Sequence, residues 1–167
     1  GVDWLFVHGI VLWLAWFVFG LTMVGLTRWF VYVSDKLQYV HAIAGWAVTA
    51  ATAFGAMIQV SRKGLDFSGP HSIAGTLMLA GVLPLALSGA HAFRTKENAE
   101  WSTERVRTAR KVHRRLALLF WLLSLVALSS GLAAYARIRG SKWAMLAPLN
   151  LCAMLLDTIG LEARFRW

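Results

Sequence analysis

The sequence predicts an all-α, multi-pass transmembrane bundle, with four long helices as its core and a fifth helix beside them. Three observations predict it. Of the 167 residues, 58% are hydrophobic and 15% are charged, whereas a soluble domain carries about 25% charged and about 45–50% apolar residues. The apolar residues gather into blocks, and the charged ones crowd into the short gaps between them. The blocks do not alternate as barrel strands do, so helices are the way to satisfy their backbone inside lipid. An ordinary water-soluble enzyme does not fit this pattern.

The elements follow from the gaps between charges. Asp3 and Arg28 enclose 24 uncharged residues, Lys36 and Arg62 enclose 25, Asp66 and Arg94 enclose 27, and Arg115 and Arg137 enclose 21. Each run exceeds the roughly 20 residues that cross a ~30 Å hydrocarbon core. The first run is too long for a secretory leader and lacks its basic start, so it reads as a span. The chain begins at Gly1 rather than Met, so a segment upstream is expected. A last apolar block, Trp143 to Leu156, has 14 residues and reaches 19 if the helix tolerates Asp157 and continues to Leu161. It predicts a peripheral fifth helix over about 143–161, weakened by Pro148 and Asp157. The one long loop, Arg94 to Lys111, is expected to hold an exposed helical turn or two. Nothing reads as a linker, so residues 1–167 form one domain.

The net charge of +9 belongs to the topology. Let side A be the face holding the N-terminus and side B the opposite face. Five helices place the 1–2 loop, the 3–4 loop and the C-terminus on side B. That face then carries twelve Lys and Arg residues against five on side A. The bias predicts a cytoplasmic-type side B, with the N-terminus on the non-cytoplasmic side. The single cysteine, Cys152, excludes an internal disulfide framework, a Cys-ligated zinc site, an iron–sulfur cluster and thioether-attached haem.

The histidines carry the functional signal. His8, His41, His71 and His113 each lie near the start of a different long helix. Consecutive helices start on opposite faces, so His8 and His71 fall near side A and His41 and His113 near side B. Two pairs at two depths, each drawn from two helices, suit a b-type haem with two axial imidazoles. A dinuclear metal site does not suit them, because ligands at opposite faces cannot meet. A lone intramembrane histidine is as readily an interhelical hydrogen-bonding residue; four of them, paired by depth, are harder to read that way. Gly45 in HAIAG and Gly75 in HSIAG stand four residues after His41 and His71. There they leave room on the same helix face for a flat macrocycle. His113 has Ala117 at that position. His91 lies 20 residues after His71, about 30 Å along the helix and ~200° around it. It reads as a surface histidine, with a proton or substrate contact near side B as its functional alternative.

These residues resemble the cytochrome b561 family, especially the membrane core fused to extracellular DOMON domains. His8-Gly9, Trp13-Leu14-Ala15-Trp16 and Arg28-Trp29 resemble the family's first-helix pattern. Pro70-His71-Ser72-Ile73-Ala74-Gly75, with Gly89 after it, resembles the third-ligand region, and Val112-His113-Arg114 with Gly131 resembles the fourth. The resemblance covers residues 4–136. Leu21 and Met23 stand where the family often has proline and glycine, and Ala117 stands where it has glycine. A third-helix glutamine is absent, and the ascorbate-contact pattern is not clearly reproduced.

The resemblance implies a transmembrane electron wire through two non-covalent b-type haems, with His8 and His71 on one iron and His41 and His113 on the other. It implies a transmembrane oxidoreductase that takes electrons from a donor such as ascorbate or quinol to a ferric or other one-electron acceptor. Basic groups on side B, notably Arg28, Lys36, Arg110, Lys111, Arg114 and Arg115, are candidates for haem propionates or an anionic donor. Positive-inside topology accounts for most of them. Two other functions remain open. One is a haem-binding accessory or structural subunit of a larger respiratory-type membrane complex. The other is a haem-free transporter or channel subunit, for which only Asp157 supplies an intramembrane carboxylate. Membrane lipid is an expected partner and nucleic acid is not.

Overall fold

The computed structural model describes residues 1–23, 35–97, 102–140 and 146–163, and these form five helices. Helix α1 runs over Trp4–Met23, α2 over Asp35–Lys63, α3 over Pro70–Glu97, α4 over Thr103–Arg139 and α5 over Leu146–Ala163. The first four are long and apolar enough to cross a membrane. No strand occurs among the described residues.

Local chemistry sets the helix ends. The Asp3 carboxylate accepts from the Phe6 N–H at 3.2 Å and caps α1. Gly64, at φ +74°, ends α2 in the left-handed region, and its N–H bonds the Val60 carbonyl at 2.8 Å. Pro70 opens α3, where its missing N–H has no partner to lose. The Ser102 hydroxyl accepts from the Arg105 N–H and caps α4. Within α1, residues Leu14–Gly20 form a π-helix. The wider turn puts Ala15, Trp16 and Gly20 together in the core.

Around the bundle the neighbours are α1–α2, α2–α3, α3–α4 and α4–α1, so α1 faces α3 and α2 faces α4 across the interior. Asp3 pairs with Arg139, which brings the start of α1 to the end of α4, as an up-and-down bundle requires. Helix α5 packs along α4. The core gathers Trp16, Val48, Met78, Val82, Phe120, Trp121, Leu125 and Met154. Phe120 seats directly on α3 at Gly81, where an added Cβ would stand 2.0 Å from the ring. Such close approach of small residues is how helices associate in lipid, where apolar burial gives little.

The distribution of polarity is that of a membrane protein. Thr52, Ser124 and Asn150 are buried, while Ile43, Met57, Leu83 and Leu156 are at least half exposed. These three are paired: the Trp16 indole donates to Thr52 at 2.9 Å and Thr52 donates to the Val48 carbonyl at 2.7 Å, Ser124 donates to the Trp121 carbonyl at 2.7 Å, and Asn150 accepts from the Trp13 indole at 3.1 Å. An outer surface of this kind is solvated by hydrocarbon rather than by water. The protein is a multi-pass helical membrane protein.

Two boundaries differ from expectation. Helix α5 is described over Leu146–Ala163, so its end passes the expected 161, while the expected start near 143 lies outside the described residues. Pro148 falls in its first turn, where backbone N–H groups have no intrahelical partner, so it does not break the helix. The Arg94–Lys111 segment is mostly helical, because α3 continues to Glu97 and α4 starts at Thr103.

Candidate functional site: two imidazole pairs

His8 on α1 meets His71 on α3, with ring centres 6.0 Å apart and planes at 89°. His41 on α2 meets His113 on α4, with centres 6.2 Å apart and planes at 85°. Each pair therefore joins two helices that face each other across the bundle. Imidazoles brought this close, His8 buried and the other three half-buried, need a reason, and their hydrogen bonds supply one.

His8 Nδ1 lies 2.7 Å from the Gly55 carbonyl oxygen, and His71 Nδ1 lies 2.8 Å from that of Ala127. A carbonyl can only accept, so Nδ1 carries the proton and Nε2 keeps the lone pair. The same tautomer follows at His113. The Ser88 hydroxyl donates to the Leu85 carbonyl at 2.7 Å, which leaves Ser88 Oγ to accept from His113 Nδ1 at 3.1 Å. His41 differs: its Nδ1 is buried and no group meets hydrogen-bond geometry there, although the Met23 main chain interacts with it. Three of the four imidazoles are thus fixed as ligands are, with one nitrogen anchored and the other basic.

A register underlies this arrangement. His41 and Gly55, His71 and Leu85, and His113 and Ala127 are each 14 residues apart. That is about 21 Å along a helix and about 40° short of whole turns. One face of each helix therefore carries its own histidine at one depth and support for the other pair at the second depth. Two glycines complete it. A Cβ at Gly131 would stand 2.8 Å from the His71 ring, and one at Gly89 would stand 2.9 Å from the His113 ring. Each glycine follows the supporting carbonyl of Ala127 or Leu85 by one turn, opening the groove through which the imidazole reaches it.

Gly45 and Gly75, singled out from the sequence, have different surroundings. A Cβ at Gly45 would meet only the Met23 sulfur, at 4.0 Å, and one at Gly75 would meet nothing within 4 Å. Neither touches a histidine ring, and space remains beside both. Sequence reasoning missed the ring-seating role of Gly89 and Gly131. The signal was present, since each stands 18 residues after a histidine, His71 or His113.

The ring spacing fits what an iron held by two imidazoles would require. Two metal–nitrogen bonds of about 2.0 Å, plus about 1.1 Å from each nitrogen to its ring centre, give about 6.2 Å between centres. Among the described residues no group of three or more His, Cys, Asp or Glu side chains gathers to hold a bare ion. Two nitrogens are too few for a bare transition metal, which takes about four ligands. A macrocyclic iron would bring four nitrogens of its own, so two imidazoles would be enough to complete it.

Around the pairs, Arg114 is exposed beside His113, and Arg28 lies outside the described residues. His91 is exposed near the end of α3. With Ser88, Arg105 and Thr108 it lines an open cavity of about 540 Å³ at the side B end. At the side A end, Asp3, Gln59, Arg62, Lys63 and Arg139 line a second, of about 380 Å³. Comparison of the chain with family models, with curated proteins and with solved structures gives no match.

Proposed function

We propose that the protein moves electrons across a membrane through two b-type haems, one held by His8 and His71 and one by His41 and His113. The observation that carries this reading is the pair of imidazole couples, each spaced at about 6 Å and anchored through Nδ1 at three of its four rings. The resemblance to the cytochrome b561 family points the same way. When bound, the two haems supply a one-electron station at each of two depths.

The chain's own residues do the rest. The Gly55 and Ala127 carbonyls fix the ring orientation and raise the basicity of the free nitrogen on His8 and His71. With both imidazoles of a pair on its iron, a bound haem would have no position left for dioxygen. Trp16, Met78, Val82, Phe120 and Trp121 exclude water from the interior. Arg114, and Arg28 from outside the described residues, provide positive charge for propionates or for an anionic donor on side B. The twelve-to-five cation bias supports a cytoplasmic-type side B. In this reading a donor such as ascorbate serves one face and a one-electron acceptor the other.

Sealed vesicles test the reading. With the purified protein reconstituted, external ascorbate should reduce ferricyanide trapped inside. Transfer should stop in both His8→Ala and His113→Ala, because each removes one station. Haem-loaded vesicles that pass no electrons would contradict it.

A further inference from the structure

Helix α5 supplies none of the four imidazoles, yet it reaches into both halves of the bundle that do. The Trp13 indole of α1 donates to Asn150 Oδ1 at 3.1 Å, and the Trp121 indole of α4 donates to Thr158 Oγ1 at 2.9 Å. Asn150, Met154 and Thr158 are spaced by four, so they share one face of α5. Met154 between them is fully buried at 0% exposure, and Asn150 Nδ2 lies 3.5 Å from its sulfur. The helix thus bridges the α1–α4 seam, where the four core helices pack least against one another.

That seam matters because of how the imidazoles are divided. His8 of α1 is anchored on α2, His71 of α3 on α4, and His113 of α4 on α3. Each anchor lies within the ring's own hairpin, α1–α2 or α3–α4. Each pair, however, takes one ring from each hairpin. The 6.0 and 6.2 Å separations are therefore set by how the two hairpins sit against each other. One seam between hairpins, α2–α3, is packed directly; the other, α1–α4, is packed more sparsely, with Asp3 on Arg139 and Trp121 against Gly20, and is also stitched by α5.

We infer that Asn150 and Thr158 are positioning residues, which through Trp13 and Trp121 hold the two hairpins at the separation that the imidazole pairs require. The inference rests on the two-haem reading. Trp13 lies five residues from His8, about 7.5 Å along the helix. The Asn150 stitch therefore governs the His8–His71 pair most, and the Thr158 stitch acts nearer the middle of the bundle.

The test uses the full chain carrying Asn150→Leu, Thr158→Val, both together, and Thr158→Ser as the conservative control. Haem is titrated into each purified apoprotein, and axial ligation is read from electron paramagnetic resonance. Asn150→Leu should weaken haem binding at the His8–His71 pair about tenfold, as loss of one buried hydrogen bond implies. The double variant should alter the low-spin signals of both pairs, and Thr158→Ser should behave as wild type. A folded double variant with wild-type titration and signals would overturn the inference. If the wild type takes up no haem, the functional reading fails and the clamp is judged separately. Nitroxide labels at Val18→Cys and Leu122→Cys, with Cys152→Ser, report the α1–α4 distance. A wider or broader distance in the double variant supports the clamp, and an unchanged one overturns it.

Discussion

At the end of the bundle that carries the N-terminus, His8 and His71 each rest on a main-chain carbonyl, at 2.7 and 2.8 Å. At the opposite end, His113 has the Ser88 hydroxyl at 3.1 Å beside the Leu85 main chain, and His41 Nδ1 has the Met23 main chain nearby, with no group among the described residues in hydrogen-bond geometry. The ring spacings are nearly equal, so the difference lies in what holds the rings. A carbonyl inside a helix cannot rotate away and cannot be removed by substitution. A hydroxyl can do both, and Ser88 also lines the open cavity beside His91 and Arg105. The first pair is anchored on two carbonyls in close hydrogen-bond geometry; the second leans in addition on a side chain, Ser88, that lines an open cavity. In the functional reading, the side A station is the fixed one and the side B station is the one that a bound molecule or a mutation can tune.

The largest expected effect separates the two pairs outright. His71→Ala and His8→Ala should each remove the same haem, and the double substitution should add little because the pair acts as a unit. His41→Ala and His113→Ala should remove the other haem. Haem content and redox titration of the four variants would show two classes; any other grouping would break the pairing.

The glycine seats should show the asymmetry next. Gly131→Ala drives a Cβ to 2.8 Å from a ring whose Nδ1 is fixed on Ala127. Overpacking of this kind costs about 1–3 kcal/mol, so haem affinity at the His8–His71 pair should fall by at least fivefold. Gly89→Ala meets the His113 ring at 2.9 Å, but the hydroxyl support there can give. Its effect should be the smaller of the two, and equal losses would count against a difference in rigidity.

Ser88→Ala should act on one pair alone. It removes a single hydrogen bond, worth about 1 kcal/mol, so affinity at the His41–His113 pair should drop several-fold and the His8–His71 pair should not change. A titration that resolves the two potentials checks this. The smallest effect belongs to His91→Ala, which should leave both haems in place because His91 is exposed and belongs to neither pair. Loss of a haem in that variant would mean that the ligand set is misassigned.

Much of this was legible in the sequence. The lengths of the uncharged runs gave four spans, because a helix in lipid cannot carry many charges. One histidine near the start of each span, with alternating helix direction, gave the grouping of His8 with His71 and of His41 with His113. The anchors were not legible, since Gly55, Ala127 and Leu85 act through main-chain carbonyls that any residue possesses. The seats at Gly89 and Gly131 were hidden for a related reason: a glycine four residues after a ligand looks like the natural gap, whereas the contact lies across a helix boundary. Helix α5 was read as peripheral because Pro148 and Asp157 weaken its hydropathy, and the indole partners of Asn150 and Thr158 come from residues more than 35 positions away. The π-helix at Leu14–Gly20 leaves no mark in composition at all.

The central claim is that each imidazole pair holds one haem. Pyridine haemochrome analysis of the purified full chain, together with its reduced-minus-oxidised spectrum, tests it most directly. The account predicts about two non-covalent b-type haems per chain, both low-spin with two imidazole ligands. One haem would mean that only one pair is a site, and a chain purified without haem that takes up none on reconstitution would contradict the account.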